Sequence, residues 1–366
     1  MNIFWESRRM ESKRVLFVVP YPLGQAPSQR FRFEQYLSLL REKGISFAVS
    51  SFWSSSGWGI LYQQQKSFQK LLALLFGFLQ RLLLLPRLLR YDFVFIHREA
   101  TPVGPPWFEW MAAKVFRKKI IFDFDDAIWL PNTSEGNHIV SRLKWHHKTA
   151  SISRWSYKVS CGNSYLQAYA LHYNKAAVVL PTTIDTEHLH KEQESQQTAT
   201  ITIGWTGSHS TLPYLLLVEP VLQKLQQQYC FEFIVIADKD PALQVATYQF
   251  VRWQKETEIE DLLRLNIGLM PLPDTEWAKG KCAFKALQYM ALGIPAVVSA
   301  VGANTTAVAE GVTGYCCRSL EEWYQRLEEL LVNATLRENM GAAGRKHVEE
   351  HYAVKANRQK FLQLFS

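Results

Sequence analysis

Short apolar runs rich in β-branched and aromatic residues alternate with helix-like stretches along this chain, and the alternation halts once before it restarts. The first set comprises Arg14–Val19, ended by Pro20, Pro22 and Gly24, then Ile45–Phe52, Phe93–Ile96, Ile120–Asp123 and Val178–Leu180. Helical patterns lie between them. One spans Ser28–Lys43, with Phe31, Tyr36, Leu37, Leu39 and Leu40 as its apolar stripe and Gly44 as its stop; another surrounds Trp107–Phe116. Thr182 to Thr200 is polar and Gln/Glu-rich, as a linker should be. The second set then runs Ile201–Ile203, a helix over Pro213–Gln227, Phe231–Ala237, Ile267–Met270, a helix over Ala283–Leu292, and Ala296–Ser299. Helices at Leu320–Val332 and Ala334–Glu350 precede a tail, Ala353–Ser366. Strands alternating with helices call for parallel sheets with right-handed crossovers. At 366 residues the chain exceeds one ordinary core. The pattern therefore predicts an α/β chain of two Rossmann-like domains, 13–186 and 187–350, facing a central cleft.

Charge is divided unevenly between these halves. Residues 1–190 hold 24 Lys+Arg against 13 Asp+Glu, and residues 191–366 hold 17 against 20, so the net +8 belongs to the first half. A basic half calls for an anionic partner: a membrane surface, a phosphorylated acceptor or nucleic acid. Between Glu42 and Asp92 no acidic residue occurs, and Lys66–Arg90 is a leucine-rich stretch punctuated by Lys66, Lys70, Arg81, Arg87 and Arg90. A membrane span needs roughly 20 uninterrupted apolar residues, and Gln80-Arg81 and Pro86-Arg87 break this one. The expectation is a basic amphipathic helix on an anionic membrane surface; a core helix with solvated charged ends is the alternative. Nucleic acid is disfavoured, because the cations are interleaved with leucines rather than stacking aromatics. Met1–Lys13 lacks the apolar stretch of an export signal, and the five cysteines follow no metal-ligand spacing. A cytoplasmic protein, peripherally associated with the inner face of the membrane, is expected.

No G-x-G-x-x-G follows the first strand, which removes the main support for a dinucleotide-dependent oxidoreductase. Gly24 to Arg32 leads instead into a helix that Ser28 is expected to cap, with Arg30 and Arg32 close enough to help hold an anion. For that loop taken alone, a capped helix with solvated arginines is the better explanation. Phe122-Asp-Phe-Asp-Asp126 ends a strand where open α/β sheets place ligands. Alternation puts Asp123 and Asp125 on one face and Asp126 in the turn, for a metal, an acceptor hydroxyl or a helix cap. Gly204 to Thr211 reads as strand, glycine loop and helix start, an anion cradle. Trp277 to Ser299 encodes a loop, a helix, Gly293 as its stop, Pro295 and a buried strand. Lys279, Lys281 and Lys285 cluster at the positive end of that helix, where cations oppose the dipole unless an anion such as a diphosphate docks there.

Leu287-Gln-Tyr-Met-Ala-Leu-Gly-Ile-Pro-Ala-Val-Val-Ser299 resembles the donor-site run of glycosyltransferase family 4, Leu180 to Glu187 its interdomain link, and Glu310-Gly-Val-Thr-Gly314 its E-x-G-x-x-G turn. The resemblance implies a GT-B fold, a nucleotide-sugar donor in the C-terminal domain, retention of anomeric configuration and no metal or other cofactor. It also implies a terminal helix, 351–366, returning to the first domain. Two family glutamates fall on Gly280 and Gln288; the amide can still reach a ribose hydroxyl, whereas the glycine cannot stand in for a carboxylate. An Arg/Lys pair that the family places after the Gly204 loop is missing, so Lys281 and Lys285 are expected to neutralise the diphosphate. The expected donor-side residues are Gly204, Thr206, Gly207, Ser208, Trp253, Lys279, Cys282, Ala283, Phe284 and Gln288, with Asp125, Lys281 and Lys285 catalytic. Gly24, Ser28, Arg30, Arg32, His97, Glu99 and Asp126 are expected on the acceptor side, for a lipid-linked or glycan acceptor; His97 and Glu99 serve equally well as structural groups at a strand end. A nucleotide-sugar epimerase of GT-B-like fold and a degenerate sugar-nucleotide-binding scaffold stand as alternatives.

Overall fold

The computed structural model describes residues 13–61, 63, 65–131, 144–191 and 200–366. The expected linker over 182–200 and the polar stretch 1–13 therefore lie partly outside the described residues. Among the described residues, twelve strands form two six-stranded sheets. The first contains β1 (Arg14–Val19), β2 (Ser46–Ser51), β3 (Phe93–His97), β4 (Lys119–Phe124), β5 (Lys158–Cys161) and β6 (Ala177–Val179), in the order β2-β1-β3-β4-β5-β6. The second contains β7 (Thr202–Gly207), β8 (Glu232–Ala237), β9 (Gln249–Arg252), β10 (Ile267–Met270), β11 (Ala296–Ser299) and β12 (Gly314–Cys317), in the order β12-β11-β10-β7-β8-β9. Every pairing is parallel. Helices cover both faces of such sheets, so their strands read as unbroken apolar runs; Val15–Val19 is buried throughout. Strand order reverses between β1 and β3 and again between β7 and β10. Crevices beyond the carboxyl ends of strands at such reversals are where doubly wound sheets bind ligands.

Several elements differ from the sequence expectation for local physical reasons. The helix expected over Ser28–Lys43 is three short pieces, Pro27–Arg30, Glu34–Tyr36 and Leu37–Glu42. Gln29 turns inward to bond both backbone groups of Tyr21, and Arg32 is drawn into the core by Asp123, so the chain cannot stay helical between them. Ser28 does not cap the first piece: Pro27, with its missing N–H, takes the first helical position and Ala26 precedes it. Gly204 lies inside β7 rather than in a loop, and it is glycine there because Leu265 fills the space a Cβ would need. The Pro213–Gln227 helix is broken into Leu212–Leu215 and Glu219–Gln226, with Pro220 in the first turn of the second. β5, β9 and β12 are short strands lacking a long apolar run.

Four helices matter below: α1 (Ser67–Leu84), α2 (Phe284–Ala291), α3 (Ala334–His351) and α4 (Val354–Leu362). α2 follows β10 and lies against α3. The last residues cross to the first sheet, where Phe361 stacks on Tyr36 at 4.3 Å and Leu364 and Phe365 are buried with Phe17 and Phe95. Lys13 Nζ donates to the Phe365 carbonyl (2.7 Å) and Tyr157 Oη to that of Ser366 (2.6 Å).

Candidate functional site

On the second sheet, the site begins where α2 starts. Ala283 precedes it in the left-handed region (φ 54°), and no side chain caps the helix's first amides. Those amides, with the dipole behind them, form a positive end. Lys285 stands in the first turn, half-buried, its Nζ 5.4 Å from the Trp205 ring centre. Among the described residues it makes no ion pair. Burial and the neighbouring Lys281 lower its pKa to about 7. Opposite, β7 delivers Trp205, Thr206 and Gly207 to the turn Ser208–Thr211. The Thr206 amide is already used, donating to Tyr289 Oη (3.0 Å), and the Ser208 amide donates to Thr211 Oγ1 (3.3 Å). A side chain at Gly207 would run into the Trp205 ring and meet Thr211 Oγ1 at 2.8 Å, which is why glycine stands there.

The other two lysines are committed elsewhere, which corrects the picture of three cations sharing one seat. Lys279 belongs to a separate short helix, Glu276–Lys279, and pairs with Glu276 (2.7 Å) and Asp274 (3.6 Å). Lys281 crosses the cleft to Asp126 (2.8 Å). Burial lowers the Lys281 pKa, Asp126 raises it, and the sum lies above the ordinary lysine value.

On the first sheet, the three aspartates divide their work. Asp123, at the end of β4, is wholly buried; it accepts from Arg32 and Ser160 (2.7 Å) and lies 2.8 Å from His97 Nδ1. Burial opposes its charge, but Arg32 and His97 hold its pKa far below the usual carboxylate range. Arg32 also donates to the Leu180 carbonyl. Arg32 and His97 are thus core groups with no solvent exposure to speak of, rather than groups facing an acceptor. Glu99 pairs with Lys148 (2.6 Å), again a structural use. β4 stops at Phe124, so Asp125 and Asp126 both lie in the following turn, bracketed by Arg98 at 2.8 and 2.6 Å. Burial works against Asp126, and Lys281 and Arg98 overcome it to lower its pKa. Gly24 (φ 77°) spends its amide on Glu34 (2.8 Å), and the half-buried Ser28 sits in a one-turn helix.

The two sheets meet along this line. Cys282 Sγ donates to the Asp125 carbonyl (3.2 Å), and Asn163 Nδ2 to the carbonyls of Gly280 (3.2 Å) and Lys281 (3.0 Å). Phe31 packs on Phe284 at 4.3 Å. Arg30 pairs with the buried Glu258 (2.7 Å), whose other oxygen accepts from Gln288 (3.4 Å). Trp253 follows β9 and packs, half-buried, against the core that contains α2. Gly280 has its own reason for being glycine: a Cβ would stand 2.7 Å from the backbone nitrogen of Ala127. Sequence reasoning missed three residues at this seam in the roles they hold. Asn163 carried a readable signal, an Asn directly before a helix, and it does cap Ser164–Leu171. Arg98 and Glu258 carried none; their partners are 27 and 228 residues away.

A model of the family described as Glycosyl transferases group 1 matches residues 200–333. No curated protein matches the chain. Among solved structures, a glycosyltransferase from Rickettsia africae is 14% identical, covering 97% of this chain and 98% of its own, with a TM-score of 0.66. Sucrose-phosphate synthase from Thermosynechococcus elongatus is 12% identical, with coverage of 97% and 98% and a TM-score of 0.66. Anabaena HepE, solved in complex with UDP-glucose, is 12% identical, with coverage of 96% and 99% and a TM-score of 0.63. The chain as a whole has the GT-B glycosyltransferase fold, and its second half is similar to the group 1 glycosyl transferases.

Proposed function

We propose that this protein is a nucleotide-sugar-dependent glycosyltransferase whose donor diphosphate sits at the start of α2, between Lys285 and the Ser208–Thr211 turn. One observation carries the reading. Lys285 is a half-buried ammonium without an anionic partner among the described residues, placed at a helix end whose dipole repels it. A diphosphate would relieve both the burial and the dipole penalty. The UDP-glucose complex of the HepE structure supports a nucleotide sugar as the donor class.

The chemistry follows from charge. Cleaving the sugar–phosphate bond adds negative charge to the leaving diphosphate, and Lys285 with the α2 amides stabilises that charge in a site partly closed to water. This supplies what a metal would otherwise provide, so a metal-independent reaction is proposed. Asp125, held by Arg98 beside Cys282, faces the same seam and is assigned to the acceptor side. Retention of configuration and membership of family 4 complete the proposal on the resemblance of the Leu287–Ser299 run, and a lipid-linked or glycan acceptor on the basic charge of the first half. Calorimetry with a panel of nucleoside diphosphates tests the seat directly: Lys285→Ala should weaken the best binder about tenfold or more, as loss of one charge-assisted contact implies. Unchanged affinity would remove the assignment. Incubation with labelled nucleotide sugars and membrane extract then separates transfer from epimerisation and from binding alone, and NMR of the product anomer decides retention.

A further inference from the structure

α1 presents its apolar stripe to solvent. Phe68, Leu71, Leu72, Leu75, Leu79 and Leu82 recur at spacings of three and four, and each is at least 50% exposed. In a soluble protein such a stripe faces the core. Here the opposite side does so. Gly77 lies against Phe52, so closely that a Cβ would stand 2.5 Å from the ring. Arg81 is buried and donates to the carbonyls of Val19 (2.9 Å) and Ala100 (2.8 Å) and to Ser50 Oγ (2.9 Å). These acceptors lie at the carboxyl ends of β1 and β2 and just beyond β3. The inward face therefore ties the helix to the cleft-facing edge of the first sheet, and the outward face is left uncovered.

Charge identifies the cover. The stripe is flanked by Lys66 and Lys70 at one end and Arg87 and Arg90 at the other, and none of the four makes an ion pair among the described residues. No acidic residue lies between Glu42 and Asp92 to offset them. By length and composition the helix could cross a membrane, but spanning would strip Arg81 of its three hydrogen bonds and pull Gly77 from Phe52. We propose that α1 is a docking surface for an anionic lipid bilayer, lying along the interface with its leucines among the acyl chains and its flanking cations on headgroup phosphates. A bilayer needs only apolar area and opposite charge, both of which α1 offers. A second copy of the chain would bring like cations together. Docked in this way, the protein holds the carboxyl edge of its first sheet at the membrane surface. The inference does not depend on the donor reading, because vesicle binding requires no nucleotide.

The test is co-sedimentation of the whole protein, without nucleotide, with vesicles of phosphatidylcholine alone or mixed with phosphatidylglycerol. Binding should be at least about tenfold stronger to the anionic vesicles and should fall as salt is added. Leu72→Glu with Leu79→Glu should abolish it while leaving the melting temperature unchanged. Should that pair fail to fold, Leu72→Gln with Leu79→Gln serves instead. Lys66→Glu with Arg87→Glu should remove the preference for the anionic lipid. Protein left in the supernatant with both vesicle types would overturn the proposal. So would a stable dimer in analytical ultracentrifugation that the Leu72/Leu79 pair dissolves, with no vesicle binding by either form.

Discussion

Lys285 and Asp123 show how differently a half-buried and a fully buried charge behave. Lys285 has a folded-state pKa of about 7 against an ordinary 10.5, because burial and Lys281 disfavour its charge. Between those values the unfolded chain holds the extra proton, so this group makes stability rise as pH climbs from 7 toward 10.5, and its penalty is complete below 7. Ligand binding runs the other way. A diphosphate favours the protonated amine, so its affinity should fall as pH rises through about 7, relative to a Lys285→Ala variant that corrects for titration of the ligand itself. Calorimetry across that range checks it; parallel profiles for the two proteins would exclude Lys285 from the seat. Asp123 has its pKa held down, so its stabilisation is present above the ordinary carboxylate value and persists until strongly acidic pH. Asp123→Ala strands Arg32 in the core and should cost about 3–5 kcal/mol in urea unfolding. Both residues were legible as candidates, but their roles were not. A local rule flagged the lysine at a helix start, whereas nothing near Asp123 in sequence announces Arg32, which lies 91 residues away.

At the scale of elements, the seam between Gly280 and Ala127 decides what the loop before α2 can carry. A side chain at 280 would meet the Ala127 backbone, not a movable side chain, so the loop cannot accept one without shifting. Gly280→Glu is expected to destabilise the protein by about 1–3 kcal/mol, the usual range for overpacking, and to lower rather than raise transfer activity. A rise in activity would show that the seam opens easily. The long, strongly periodic elements were readable: β11, the Leu320–Val332 helix and the core of α2 stand where their patterns placed them. Broken ones were not. Ser28–Lys43 has a continuous helical stripe, yet Gln29 bonds the backbone of Tyr21 just past β1 and Arg32 the carboxylate of Asp123 in β4. Tertiary hydrogen bonds outweigh a preference worth only tenths of a kcal/mol per residue.

For the molecule as a whole, two ion pairs close the cleft, Arg30–Glu258 and Lys281–Asp126, each with side chains less than one quarter exposed. Removing the acidic partners, as in Glu258→Gln with Asp126→Asn, should loosen the closed arrangement. Small-angle scattering should then give a larger radius of gyration than for the unaltered protein; an unchanged radius would assign closure to the Phe31–Phe284 and Asn163 contacts instead. Alternation of strand and helix, the polar break after residue 182 and the Leu287–Ser299 run were enough, by themselves, to specify two doubly wound sheets, because hydrophobic period and turn chemistry are local and repeat often enough to be counted. Which lysine keeps a free charge, which aspartate meets which arginine, and why residue 280 has no side chain were decided only when the two halves came together. Those outcomes depend on distances between groups up to 155 residues apart along the chain, and pairing of that kind leaves no periodic trace in a sequence.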